Sequence, residues 1–533
     1  MKNKVITAQQ AAALVNDGST VCTIGMTLIG AAESILKALE QRFLATGSPA
    51  NLTYIHSAGQ SNRERGNQHF AHPGMVKRII GSHWGLAPKW MERIASDSVE
   101  AFCLPQGQIV HLYTAMAAGQ AGYLSKVGLG TFIDPRLEGG KMNDRTRALA
   151  DLVEVVSLRG EEYLFYPALP LDTVIIRGTT ADAEGNLTCE EEAMKLEILQ
   201  AVLAAKRFGG KVLAQVKNLA QTGSLHPKQV VVPGNFIDAV VVCDNPEQDH
   251  RQTSSWFYDP AYCGNLISPT SELEKLPLTI RKLIGRRACQ FLYPGCVINL
   301  GTGIPNDVIG TIIHEEEVSD DITITVESGI YGGVQAGGID FGIGKNLTAM
   351  INHQEQMLYY NGTGVDITYM GAGEMDANGH INATKMGDRC TGAGGFIDIT
   401  QNAHHVVFCS TFTTKGLEVE FRDGQLRILR EGSVKKLVKD INQISYNGEI
   451  ARQKKQKMHL VTERAVFELT EQGPMLIEIA PGIDLEKDVL QQMEFTPLIS
   501  ESLKLMDASL FEEVNFGLKH ALCSNEHTES NHH

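Results

Sequence analysis

A short strand that runs into a glycine turn and then a helix occurs twice in this chain, far apart, and this duplication limits the folds open to it. Thr20-Val21-Cys22-Thr23-Ile24 lies between Gly18 and Gly25, and Ala31, Ile35, Leu36 and Leu39 mark one apolar helix face after Gly30. The segment Gly295-Cys296-Val297-Ile298-Asn299-Leu300-Gly301 repeats the run with one residue fewer between its glycines. A second pair keeps the same order. Asp172-Thr173-Val174-Ile175-Ile176 leads to Gly178 and Asp182-Ala183-Glu184-Gly185, and Asp366-Ile367-Thr368-Tyr369-Met370 leads to Gly371 and Asp376-Ala377-Asn378-Gly379. Apolar strands entering glycine turns and helices are the grammar of parallel α/β sheets, and ordered self-similarity points to repeated units. The expected fold class is α/β, with two tandem related α/β domains and mostly parallel sheets. The expected divisions are residues 1–245, a polar, proline-punctuated linker 246–278, a second domain 279–523, and a disordered tail 524–533. Long helices are expected near Glu190–Phe208, where Glu190-Glu191-Glu192 after Thr188 read as a capped start, and near Thr279–Leu292.

Composition supports this and removes several function classes. A chain of 533 residues suits two domains, and 43% hydrophobic residues supply full cores. With 62 acidic against 47 basic residues the net charge is −15, so no long-range attraction draws the chain to nucleic acid or anionic membranes. Ten cysteines occur with no C-x-x-C, mostly in apolar runs, which reads as reduced buried thiols. The N-terminus shows no apolar h-region and no uncharged stretch approaches a membrane span, so a cytoplasmic protein is expected. No H-E-x-x-H or similar metal pattern accompanies His404-His405 or the terminal histidines, and no metal is expected.

Four segments could carry chemistry. In Asp321-Ile322-Thr323-Ile324-Thr325-Val326-Glu327-Ser328-Gly329, a β-branched strand ends on a carboxylate with glycine close behind. Ligands bind at the carboxyl ends of parallel strands, and a carboxylate there can act as nucleophile or base; an edge glutamate before a tight turn is the plainer alternative. Gly301-Thr302-Gly303-Ile304-Pro305-Asn306 follows a strand and enters a helix, a place for an anion or oxyanion. A dinucleotide fingerprint is disfavoured because Asn306 stands where a third glycine belongs. Gly392, Gly394 and Gly395 form a dense cluster suited to a narrow ligand or to a tight turn alone. Leu104-Pro105-Gln106-Gly107 could present a fixed amide, or be an ordinary turn. Arg281, Lys282, Arg286 and Arg287 read as a solvated helix face.

Taken together, Glu327-Ser328-Gly329 after its strand, the Gly301-x-Gly303-Ile304 turn, the Gly392–Ile399 loop and Leu104–Gly107 resemble the family I coenzyme A transferases. Further stretches agree, among them Gly128–Arg136, Val461–Phe467 and Ile477–Leu485. The resemblance runs from about residue 8 to 520, toward the single-chain acetate, propionate or 3-oxoacid type. It implies two related α/β domains, a catalytic glutamate at Glu327 and an amide donor at Gln106. It places pantetheine against Gly301, Gly303, Gly392, Gly394 and Gly395. Lys415, which follows the Gly392 loop in sequence, is a further candidate contact for coenzyme A. It also implies coenzyme A and acyl-CoA as substrates with no permanently bound cofactor, short-chain carboxylates as partners in exchange, and a homo-oligomer, dimer or tetramer. The succinyl-specific branch carries Ser-Glu-Asn-Gly where this chain has Val326-Glu327-Ser328-Gly329. That departure keeps the carboxylate and argues against succinyl specificity. An acyl-CoA hydrolase on the same scaffold and a non-catalytic metabolite-binding protein are the alternatives.

Overall fold

The computed structural model describes residues 3–269 and 275–529. Two large sheets organise it. The first contains seven parallel strands: β1 (Thr20–Thr23), β2 (Leu52–His56), β3 (Val76–Gly81), β4 (Glu100–Cys103), β5 (Thr173–Asp182), β6 (Lys211–Ala220) and β7 (Ala239–Val242), in the order β7-β6-β5-β1-β2-β3-β4. The second contains β8 (Val297–Leu300), β9 (Thr323–Val326), β10 (Ile330–Tyr331), β11 (Ala349–Met350), β12 (Ile367–Gly371), β13 (His405–Cys409), β14 (Lys457–Val461), β15 (Ala465–Thr470), β16 (Gly473–Ile479) and β17 (Leu498–Leu505). Their order is β11-β10-β9-β8-β12-β13-β14-β15-β16-β17. Strands β9, β8, β12, β13 and β14 are mutually parallel, which repeats β2-β1-β5-β6-β7 strand for strand. The mixed α/β class and the two related halves expected from the duplicated pattern are therefore present.

The short parallel strands are buried on both faces, as their unbroken apolar runs require. All ten residues of β5 are buried. Side chains from both halves join one continuous apolar core that includes Trp84, Trp90, Tyr113, Phe132, Tyr369 and Phe408. The first helix starts as the sequence suggests, with Thr7 and Gln10 forming a reciprocal capping box.

Several expectations change. The helix expected from Glu190 begins only at Ile198 and runs to Arg207. Glu192 is instead buried against Arg177, 2.6 Å away, and a helix start could not satisfy that guanidinium. Lys282, Arg286 and Arg287 are not a solvated face. Lys282 pairs with Glu315 at 2.6 Å, Arg287 with Glu478 at 2.7 Å, and Arg286 donates to the carbonyls of Leu510, Glu512 and Val514. Only Arg281 is exposed, beside Asp307. A helix periodicity does not reveal which charged face meets buried partners. The segment after Cys243 is tied down where it is described: Gln252 donates to the Glu191 carbonyl at 2.8 Å, and Asp259 pairs with Lys345 at 2.8 Å. Residues 270–274 of the expected linker lie outside the described residues. The last helix, Leu518–Glu529, starts on buried Leu518 and Leu522 and runs into the tail 524–533 expected to be disordered; residues 530–533 lie outside the described residues.

Candidate active site

The carboxyl ends of the two sheets enclose one cavity of about 580 Å³. Strand β1 ends into Met26 and Thr27, β2 into Ala58 and Gly59, and β3 into His83. From the other half, β8 ends into Gly301, β9 into Glu327, and β12 into Ala372 and Gly373; all of these line the cavity. This is the position that strand polarity predicts for a ligand site in α/β sheets.

Glu327 follows β9 directly and is 8% exposed. Burial pushes its carboxyl up to about 7. The chain then turns sharply at Gly329, whose φ of +101° only glycine adopts readily, and whose missing Cβ makes room for the Ile351 carbonyl. The turn leads back as β10, antiparallel to β9. The carboxylate is thus held at the end of a rigid strand between two backbone pairings.

Opposite it stands the glycine cluster. Gly392 has φ +78° and packs against the Ser82 carbonyl, so a side chain there would displace the whole turn. Gly394 donates its N–H to Ser82 O at 2.9 Å and accepts from Gln106 N at 3.0 Å. A Cβ on Gly395 would lie 3.7 Å from the Glu327 Cβ, so this backbone passes close beside the carboxylate. No acceptor among the described residues takes the Gly395 N–H.

Gln106 opens the helix Gln106–Ala117 after Pro105. No residue of its own segment caps this helix. Asp398 from the second half does so, accepting from Gly107 N at 3.0 Å and from Gln108 Nε2 at 2.7 Å. Burial pushes the Asp398 carboxyl up to about 6. The Gln106 side chain lines the cavity, and its Nε2 lies 2.9 Å from His353 Nε2. His83, also on the wall, is partly buried, and desolvation holds its imidazole down to about 4.

The structure therefore brings together Glu327, Gln106, Gly301, Gly303, Gly392, Gly394 and Gly395 around one cavity. It does not bring Lys415 to that wall. This residue sits exposed in the turn after a two-residue strand, Thr413–Thr414, beyond β13. The helix Phe396–Thr400 and strand β13 carry the chain across the sheet between the glycine cluster and Lys415, so nearness in sequence is not nearness in space. Sequence reasoning missed His353, Glu197 and Ser57, which lie behind Gln106, and Asp398 as a cap. The first three sit in no recognisable motif, and Asp398, although inside the Gly392–Ile399 loop, caps a helix 290 positions away.

Residues 5–243 match the Coenzyme A transferase family. Caffeate CoA-transferase from Acetobacterium woodii is 44% identical over 521 residues, covering 97% of this chain and 98% of that protein. The chain belongs to the coenzyme A transferase family. Acetate CoA-transferase YdiF of Escherichia coli K12 is 39% identical over 96% of both proteins. The crystal structure of the Escherichia coli O157:H7 acyl-CoA transferase YdiF, described as a thioester complex with CoA, superimposes with a TM-score of 0.90 at 37% identity, over 97% of each chain. This transferase is thus an enzyme that takes coenzyme A as substrate. Among the described residues no group of three or more metal-ligating side chains occurs, and no helix is long and apolar enough to cross a membrane.

Proposed function

We propose that this transferase moves coenzyme A between short-chain carboxylic acids in a ping-pong cycle through a glutamyl-CoA thioester on Glu327. The observation that carries the reading is the placement of Glu327: a strand-end carboxylate on the cavity wall, with a raised pKa, beside the Gly395 backbone.

Glu327 Oε attacks the thioester carbonyl of acyl-CoA, the C–S bond breaks, and an acyl-glutamyl anhydride and CoA thiolate form. The thiolate attacks the Glu327 Cδ carbonyl and releases the first acid as carboxylate, leaving glutamyl-CoA. A second carboxylate attacks Cδ, expels the thiolate and forms a new anhydride. The thiolate then attacks the acyl carbonyl of that anhydride and frees Glu327. One thioester is exchanged for another, so no external energy source is needed. A carboxylate is a weak nucleophile, and burial strengthens it by raising its basicity. Each tetrahedral intermediate needs donors at its oxygen; Gln106 Nε2 and the Gly395 N–H are available. Gly301, Gly303, Gly392 and Gly394 leave backbone rather than side chains along the path for pantetheine, whose remote contacts can be used at the reacting carbon. Enclosure between the sheets limits water, which would hydrolyse the intermediates.

Support also comes from the relatives. The Escherichia coli O157:H7 structure is described as a thioester with CoA, and the relatives are named for caffeate and acetate. Incubation with acetyl-CoA, borohydride reduction and peptide mass mapping tests the intermediate: the modification is expected on Glu327, and modification elsewhere overturns the assignment. A panel of acetate, propionate, butyrate, acetoacetate and caffeate as acceptors tests the acid class. Exchange with caffeate alone overturns the short-chain reading. Undiminished CoA release with no acceptor would make the enzyme a hydrolase. We also propose a cytoplasmic location, tested by cell fractionation, and a homo-oligomer, dimer or tetramer, tested by light scattering of the purified protein, where a monomer overturns it.

A further inference from the structure

Behind Gln106 runs a line of buried polar side chains that the exchange chemistry does not use. Ser57, Glu197 and His353 are fully buried and Gln106 is 2% exposed. Ser57 Oγ donates to Glu197 Oε1, Glu197 Oε2 lies 2.7 Å from His353 Nδ1, and His353 Nε2 lies 2.9 Å from Gln106 Nε2. Ser57, Glu197 and Gln106 come from the first half and His353 from the second. The backbone is shaped for this meeting. Leu196 holds a left-handed φ of +53°, uncommon for leucine, and its carbonyl accepts the His353 backbone N–H at 3.3 Å.

With the Gln106 amide nitrogen toward the ring, the line has one assignment in which every contact is a hydrogen bond. An amide nitrogen cannot accept a hydrogen bond, so in the Gln106–His353 contact the ring Nε2 accepts and Gln106 donates. The ring proton is then on Nδ1, where the Glu197 carboxylate accepts it, and Ser57 holds the other carboxylate oxygen. Glu197 thus selects the tautomer and the tautomer selects the orientation of the Gln106 amide. One N–H of Gln106 is committed to His353. The second has no acceptor among the described residues, on a side chain that lines the cavity.

We propose that Glu197 and His353 are positioning residues that lock the Gln106 amide with its nitrogen toward the ring, so that its remaining N–H is presented to the oxyanion. Without them the amide can rotate by half a turn and offer its oxygen, which would repel the developing negative charge. The proposal rests on Gln106 being an oxyanion donor, as argued above.

A double-mutant cycle on the full-length enzyme tests it. Glu197→Gln keeps the shape of the site but lets the new amide donate to Nδ1, which releases the tautomer. The expected result is a fall in kcat of about tenfold with KM for acyl-CoA essentially unchanged and a cooperative melt retained. His353→Leu should cost at least as much. His353→Gln, whose amide can donate to Glu197 and accept from Gln106, should recover most of the rate. In a Gln106→Ala background, Glu197→Gln should cause no further loss. If Gln106→Ala slows the enzyme and Glu197→Gln costs the same factor in both backgrounds, the positioning role is overturned while Gln106 remains the donor. If Gln106→Ala leaves kcat unchanged, the donor role of Gln106 and the positioning role fall together.

Discussion

The two halves put different chemistry at the same point of a shared fold. Asp172 Oδ2 accepts from Thr20 N at 2.8 Å in the first half, and Asp366 Oδ2 accepts from Val297 N at 2.8 Å in the second. With those pairs equated, the strand registers run in parallel: Thr20 pairs with Thr53 and Val297 with Thr323. Continuing along β2 and β9 brings Ser57 onto Glu327. Glu327 lines the cavity, whereas Ser57 is sealed behind it and binds Glu197. After this point the halves diverge. The first continues through parallel strands β3 and β4, while the second folds back at once as β10 and β11. Duplication preserves where a strand delivers a side chain. The residue delivered and the chain that follows decide whether that side chain faces the cavity or stands behind it.

The largest effect is expected from removing the member proposed to react. Glu327→Ala should lower exchange by ~10⁴-fold or more while coenzyme A still binds, measured by steady-state exchange and by calorimetric titration with CoA. Retention of more than a few per cent of the rate would remove Glu327 from the chemistry. Gln106→Ala should cost ~10²-fold in kcat if its amide is the proposed oxyanion donor. Next in size is a pH effect. Burial raises the Glu327 carboxyl to about 7, and in the proposed cycle only its ionised form attacks, so log kcat/KM for acyl-CoA should rise by about one per pH unit below 7 and level off above it. A flat profile from pH 5 to 8 would contradict the raised carboxyl.

The same shift has a cost in stability. A carboxyl whose pKa is higher folded than unfolded favours the fold at low pH, and that contribution is lost as pH rises through about 7. Glu327→Gln removes the buried charge. It should therefore stabilise the protein above pH 7, by on the order of 3 kcal/mol, and much less at pH 5, as read by denaturant unfolding. No difference between the two pH values would show that Glu327 is better solvated than its surroundings suggest.

Much of this was legible in the residues. The two β-branched runs and their aspartates announced the duplicated parallel sheets, since those side chains have to be buried on both faces. Glu327 stood out because a carboxylate directly after such a run occupies a strand end. Gln106 and the glycines could be named by resemblance, but their convergence depends on which loops face each other across the sheets, a long-range property with no local signature. His353 was not legible at all: it is a lone histidine at a helix start, and its partners lie 156 and 247 positions away in the chain. The acidic run at Glu190 misled because a capped helix and a buried Arg177 partner look alike in sequence. Lys415 misled because a strand intervenes between it and the glycine cluster.

The smallest expected effect probes the supporting member of the pair. Ser57→Ala leaves β2 and its burial intact and removes only the hydroxyl that holds Glu197 Oε1. Glu197 keeps its contact with His353, so the tautomer is retained and only the angle of the carboxylate loosens. The loss of one neutral donor to a charged acceptor should lower kcat by only a few-fold, far less than at Glu327 although the two positions coincide in the repeat. The melting temperature should fall slightly, because a buried carboxylate oxygen loses a partner. A drop in kcat as deep as that of Glu327→Ala would mean that Ser57 takes part in the reaction directly, and the division between a reacting and a supporting strand end would have to be given up.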